Sequence, residues 1–192
     1  MKTLIVYGTT EGQTRKVANF IKDEAEKLGH KVALADASQS PPSPEGFEMV
    51  MIGASVHMYK YQSTVSHYVK EHVEFLNKTP CAFFSVSMSA YGYDKESHKE
   101  LEDCINKFLH DTGWKPAKIE RIAGALLYTK YDFFKKWIMR SIAKKEGEGT
   151  DTSKDYEYTN WDKVKAFVEA VFEPYNEAEY AIHEKQNLEP TG

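Results

Sequence analysis

Three threonine hydroxyls and two glycines fall within seven residues near the start of the chain, Gly8-Thr9-Thr10-Glu11-Gly12-Gln13-Thr14. Ahead of them, residues 2–7 form an apolar run too short for a helix and suited to a buried strand. Behind them, Val17, Ala18, Phe20, Ile21, Ala25 and Leu28 recur at helical spacing. A loop joining a strand to a helix N-terminus offers backbone N–H groups beside its hydroxyls, a donor set suited to phosphate. Nucleotide hydrolysis is disfavoured because Gln13, not lysine, follows Gly12, and the three-glycine dinucleotide pattern is absent. A phosphoacceptor site is disfavoured too, since the first and third strands end in Tyr7-Gly8 and Gly53-Ala54 without aspartates. Glu11 is expected to point outward, because a carboxylate facing a dianionic phosphate is repelled.

The elements that must position this loop repeat along the chain. Residues 31–35, 47–53, 80–86 and 119–128 read as four further strands, and residues 14–28, 64–76, 96–112, 131–145 and 161–172 as helices. Five strands alternating with helices predict an α/β fold, a doubly wound parallel sheet with helices on both faces. Such sheets bind ligands beyond the carboxyl ends of their strands, which directs attention to loops 8–14, 54–63 and 87–95. At 192 residues with 41% apolar side chains, one domain is expected, spanning 1–175 with a helical insertion at about 128–160. Residues 176–192 read as an acidic, frayed tail.

Composition narrows the function further. The net charge of −4 argues against nucleic acid as the main partner. Cys81 and Cys104 show neither CxxC nor metal-ligand spacing and read as free thiols of a reducing cytoplasm. No apolar run approaches the roughly 20 residues of a membrane span, and the first apolar run is too short for a signal-peptide core. Within residues 130–145, however, Lys130, Lys135, Lys136, Arg140, Lys144 and Lys145 face only Asp132. On a helix, Tyr131, Phe134, Trp137, Ile138 and Ile142 fill one arc, and Lys136, Arg140 and Lys144 fall opposite. An ordinary packed amphipathic helix satisfies this pattern, as does an element lying on an anionic membrane surface, where each base contributes about 1 kcal/mol.

The stretch Ile5-Val6-Tyr7-Gly8-Thr9-Thr10-Glu11-Gly12-Gln13-Thr14, with Ala18 and Ile21, resembles the phosphate loop of the flavodoxins. The resemblance covers almost the whole chain and is nearest to the menaquinone-dependent protoporphyrinogen IX dehydrogenases. It is carried by Gly12-Gln13-Thr14-Arg15, Ile52-Gly53-Ala54-Ser55, Ala123-Gly124-Ala125-Leu126 with Tyr128 and Tyr131, and residues 150–161. It implies a flavodoxin-like fold, FMN as cofactor, protoporphyrinogen IX as substrate and menaquinone or another quinone as acceptor. The long insertion after the fifth strand is tied in that family to substrate or membrane function. Thr9, Thr10, Glu11, Gly12, Gln13 and Thr14 would then surround the FMN phosphate.

Two loops would flank the flavin ring. The first carries Ser55, Val56, His57, Met58, Tyr59, Lys60 and Tyr61, the second Ser87, Met88, Ser89, Tyr91, Gly92 and Tyr93. Tyr59, Tyr61, Tyr91 and Tyr93 are all candidates to stack on the ring. His57 reads first as a loop-surface histidine and second as a proton carrier. A single-electron shuttle favours glycine in the first loop and carboxylates near the ring; no glycine lies between Ala54 and Ser63, and neither loop, 54–63 or 87–93, contains Asp or Glu. That favours a flavin reduced by an organic substrate, with a flavodoxin-type protein electron carrier as the alternative. Propionates of a porphyrinogen would find cations at Lys60, Lys130 and Lys135, with Lys136 and Arg140 nearby in the chain.

Overall fold

The computed structural model describes residues 1–91, 95–126 and 155–188, with side chains described as far as residue 175 (Leu126 excepted). Five strands, β1 (Lys2–Gly8), β2 (Lys31–Asp36), β3 (Met49–Ser55), β4 (Cys81–Ser87) and β5 (Lys118–Ala123), form one parallel sheet in the order β2-β1-β3-β4-β5. Both faces are covered by helices. Period-two alternation along the strands assigns side chains to two separate cores. Leu4, Val6, Val50, Ile52 and Phe83 pack with α2 (Ser63–Glu71), α3 (Val73–Leu76) and α4 (Lys95–Thr112). Ile5, Tyr7, Met49, Met51 and Phe84 pack with α1 (Gln13–Lys27) and α5 (Trp161–Leu188) on the other face.

The close fit of β3 and β4 depends on one glycine. Gly53 lies opposite Phe84 in the register, and a Cβ there would run into the Phe84 ring. Both cysteines are free and buried. The Cys81 thiol accepts from the Trp114 indole N–H at 3.2 Å and donates to the Leu76 carbonyl at 3.3 Å.

Three boundaries differ from the periodicity reading. The helix expected over 64–76 breaks at His72, whose φ of −111° and ψ of 14° leave the helical region while its ring packs on Tyr68 at 4.7 Å. The fifth strand stops at Ala123 rather than running to 128, because β4 turns at Ser87 into a short 3₁₀ helix, Met88–Ala90, and offers no further partner. Ala125–Leu126 (β6) pairs instead with the returning segment Tyr156–Glu157 (β7), antiparallel. The last helix, expected to end at Phe172, runs through Pro174 to Leu188 where a frayed tail was expected. Proline removes one hydrogen bond there without ending the helix. The helix expected at 131–145 lies outside the described residues.

A forked ion pair joins α4 to the sheet edge: Arg121 Nε and Nη2 meet Glu102 Oε1 and Oε2 at 2.6 and 2.7 Å. Hydrogen bonding from Arg121 is the main cause holding the Glu102 carboxyl below its ordinary range. A depressed carboxylate stabilises the fold above the unfolded-state pKa, and that contribution disappears as pH falls through the folded value. Both side chains are partly exposed, so Glu102→Gln is expected to cost at most about 1 kcal/mol at neutral pH. In acid the difference should vanish, which urea unfolding at the two conditions measures.

Candidate cofactor site

Because β1, β3 and β4 run parallel, their carboxyl ends deliver three loops to one edge of the sheet. The chain leaves β1 toward α1 on one face and β3 toward α2 on the other, so a crevice opens between them. Gly8 ends β1 in contact with α2, where a Cβ would clash with Val65. Gly12 takes φ +99°, a left-handed conformation that glycine supplies without steric cost.

The polar groups of the loop between β1 and α1 divide into those already engaged and those left open. The Gly12 N–H donates to Thr9 Oγ1 at 2.9 Å, so it closes the turn and is not offered to a ligand. The N–H groups of Gln13, Thr14 and Arg15 head α1, where the first intrahelical bond comes only at Lys16 N–H to Gly12 O. Thr14 is buried, and its hydroxyl has no hydrogen-bond partner. An orphaned hydroxyl at a helix N-terminus fits a phosphate oxygen, which would accept from it. Glu11 is half-buried, and burial raises its carboxyl pKa. The Gln13 side-chain amide reaches away from the loop, donating to Thr159 Oγ1 at 2.9 Å and to Glu157 Oε1 at 3.1 Å. Only its backbone N–H remains directed by the helix end.

The first ring loop is a hairpin. His57 and Lys60 exchange backbone hydrogen bonds at 2.9 and 3.1 Å around Met58 and Tyr59, which sit at φ +48° and +60°. Two positive φ values are the signature of a type I′ turn. The lack of glycine in this loop therefore does not exclude left-handed backbone, and the two residues carry about 1–2 kcal/mol of strain each. Cys104 donates through its thiol to the Tyr59 carbonyl at 3.4 Å, holding the turn from below. Met58 and Tyr59 stand 79% and 67% exposed, so Tyr59 is available to cover a flat ligand.

Tyr61 is not available. Its ring lies between Phe83 and Phe108, at 5.4 and 4.9 Å, and its hydroxyl is bound to Ser85 Oγ at 2.7 Å. The burial that makes it a core residue also pushes its phenol pKa upward. In the second loop, Ser87 Oγ accepts from the Ala90 N–H at 3.2 Å and so caps the 3₁₀ turn carrying Met88 and Ser89. Tyr91 follows it, its ring tilted at 35° to that of Tyr158 with centroids 4.1 Å apart. Gly92, Tyr93, Lys130, Lys135, Lys136 and Arg140 lie outside the described residues.

Residues that periodicity did not single out complete the site. Gln62 Nε2 donates to Thr10 Oγ1 at 2.9 Å and to Ser55 Oγ at 2.6 Å, while its Oε1 accepts from the Ser55 N–H at 3.2 Å. The return from the insertion is fastened to the same region: Thr159 Oγ1 donates to Ala123 O at 2.7 Å, and Glu157 pairs with Lys16. Asn160, whose Oδ1 accepts from the Lys163 N–H at 3.0 Å, marks the start of α5 in a recognisable way. A cavity of about 290 Å³ lies beside Tyr91 and Tyr158, lined also by Arg121 and Lys163. Its two cations are already matched, Arg121 by Glu102 and Lys163 by Glu120 at 2.7 Å.

A 2-1-3-4-5 parallel sheet with a hydroxyl-rich loop at its switch point defines the flavodoxin-like class. Residues 4–153 match the flavodoxin domain family. The chain is 35% identical over 172 residues to a protein of Escherichia coli K12 named protoporphyrinogen IX dehydrogenase [quinone], covering 89% of this chain and 94% of that one. A protein of the same name from Leishmania major is 33% identical over 178 residues, covering 86% of this chain and 72% of its own. Among solved structures, oxidised flavodoxin 1 of Bacillus cereus superposes with a TM-score of 0.49 at 16% identity, over 77% of this chain and 100% of the other. The chain thus belongs to the flavodoxin-domain family of the protoporphyrinogen IX dehydrogenases [quinone].

Proposed function

We propose that the chain is an FMN-dependent enzyme that oxidises protoporphyrinogen IX to protoporphyrin IX and passes the electrons to a quinone. The observation that carries the reaction is the 35% identity over 89% of the chain to proteins bearing that name. The unpartnered Thr14 hydroxyl at the head of α1 supports FMN, because a phosphate completes its hydrogen bonding. Bound there, FMN supplies the two-electron acceptor chemistry. The protein's own groups would orient it: the α1 N–H groups and hydroxyls would hold the phosphate, and the exposed Met58-Tyr59 turn would flank the ring.

The finer assignments are menaquinone as acceptor, a place in haem synthesis, and reversible residence on the inner face of the cell membrane. The cationic run at 130–145 supports the last, since attraction to an anionic leaflet is weak per residue and additive. Among the described residues no helix is long and apolar enough to cross a membrane. Lys60 is exposed with no ion pair among the described residues, which makes it the propionate partner the site itself offers.

The test is rescue of a bacterium lacking its own protoporphyrinogen-oxidising enzymes. The intact gene is expected to restore growth without added haem. A soluble, flavin-loaded protein that fails to rescue would overturn the reaction while leaving the cofactor standing.

A further inference from the structure

We infer that Gln62 is a positioning residue that fixes the direction of the hydroxyl protons around the cofactor site, making Thr10 and Ser55 donors toward an acceptor-rich ligand. The inference rests on the FMN reading and deepens it. The Ser55 backbone N–H can only donate, so the Gln62 atom 3.2 Å from it must be the carbonyl oxygen. That assignment leaves the amide nitrogen facing the hydroxyls of Thr10 and Ser55, at 2.9 and 2.6 Å. The amide nitrogen has no lone pair to accept with, so both hydroxyls must accept from it. Each hydroxyl carries one proton, and with the oxygen engaged from the Gln62 side that proton is left to point elsewhere.

Thr9 is arranged the same way by a different group. Its oxygen accepts from the Gly12 N–H at 2.9 Å, and its own proton is likewise released. Thr14 adds a buried hydroxyl without a partner. The hydroxyls of Thr9, Thr10, Thr14 and Ser55 thus each keep a proton that these contacts do not commit. A phosphate, which at neutral pH has acceptor oxygens, uses those protons, whereas a ligand that only donates would leave them unused.

Gln62 is itself held in place. Its backbone stands at φ −58° and ψ 133° ahead of α2, and its carbonyl accepts from the Val65 and Ser66 N–H groups at 3.1 Å each. A Cβ at Gly8 would come within 3.0 Å of Gln62 Oε1, so the end of β1 backs the side chain. One amide therefore ties the phosphate loop, at Thr10, to the first ring loop, at Ser55.

The experiment titrates apoprotein with FMN and with riboflavin, following quenching of flavin fluorescence, and checks each variant's fold by urea unfolding. Gln62→Glu has the same shape but only accepts, so it would turn the Thr10 and Ser55 protons inward. FMN affinity should fall at least about tenfold, as expected when a charge-assisted donor is withdrawn, and riboflavin affinity much less. Gln62→Met, which removes the amide without reversing it, should lose less. The discriminating step is Thr10→Val: in wild type it should weaken FMN severalfold, and in Gln62→Glu it should add almost nothing, because the donor is already withdrawn.

Full additivity of Thr10→Val with Gln62→Glu would show that the glutamate acts only by charge repulsion and would overturn the inference. So would unchanged FMN affinity in Gln62→Glu, or a greater loss in Gln62→Met. Wild-type apoprotein that binds riboflavin and FMN equally would instead overturn the phosphate-site reading, and the inference with it.

Discussion

Apoprotein carrying Thr14→Val is expected to be as stable as wild type or more so, and yet to bind FMN more weakly by about 1.5–3 kcal/mol. The opposite signs follow from one fact, that the Thr14 hydroxyl is buried without a hydrogen-bond partner. Leaving a buried polar group unsatisfied costs about 1–3 kcal/mol in the unliganded fold, and an isosteric methyl removes that cost. With a phosphate present the same hydroxyl becomes a charge-assisted donor, so its loss is felt in binding. A residue kept only for folding would show both effects with one sign.

Adding Thr9→Ala extends the test. Thr9 Oγ1 accepts from the Gly12 N–H, so its removal loosens the turn as well as withdrawing a donor. The double variant is expected to lose roughly two to three decades in Kd, at 1.4 kcal/mol per decade. Isothermal or fluorescence titration beside urea unfolding reads both quantities. Unchanged FMN affinity in the double variant would take the phosphate off this loop.

Most of the sheet was legible because each buried strand is a short apolar run, as in residues 2–7 and 80–86, and both of its faces are covered. The loop proposed to hold the phosphate, residues 8–14, stood out for a related reason: its hydroxyls and glycines are neighbours in sequence. The errors arose where the deciding contact is distant. Ala125 and Leu126 look like a continuation of the fifth strand, but β4 had already turned away, and only the return of Tyr156 and Glu157 gives them a partner. Tyr61 sits among loop residues that reach the crevice, yet Ser85, itself buried, satisfies its hydroxyl inside the core.

Gln62 was missed because its partners are 7 and 52 residues away, beyond any periodic pattern. Met58 and Tyr59 were missed as a left-handed turn because that backbone usually announces itself by glycine or asparagine. Here the His57–Lys60 bridge and the Cys104 thiol hold the turn without either.

Protoporphyrinogen IX added anaerobically to the FMN-loaded protein is expected to bleach the bound flavin, and a menaquinone analogue to restore the oxidised spectrum. Each such cycle would balance: two electrons and two protons would leave the macrocycle, the flavin would be reduced by two electrons, and the quinone would depart as quinol. The first ring loop, from Ala54 to Ser63, and residues 87–91 contain no carboxylate. A ring held between these loops would gain electrons without Coulomb repulsion from carboxylates of either stretch, the kind of repulsion that lowers a flavin's potential. Lys60 should matter to the encounter more than to the electron transfer. Lys60→Ala is expected to raise KM for the porphyrinogen severalfold with a smaller change in kcat, an effect that weakens as salt screens the exposed charge. A flavin that stays oxidised with porphyrinogen but accepts electrons readily from a reduced protein donor would reverse the reading. The chain would then be an electron carrier on the same fold, and the cations of residues 130–145 would serve a protein partner instead of a substrate or a membrane.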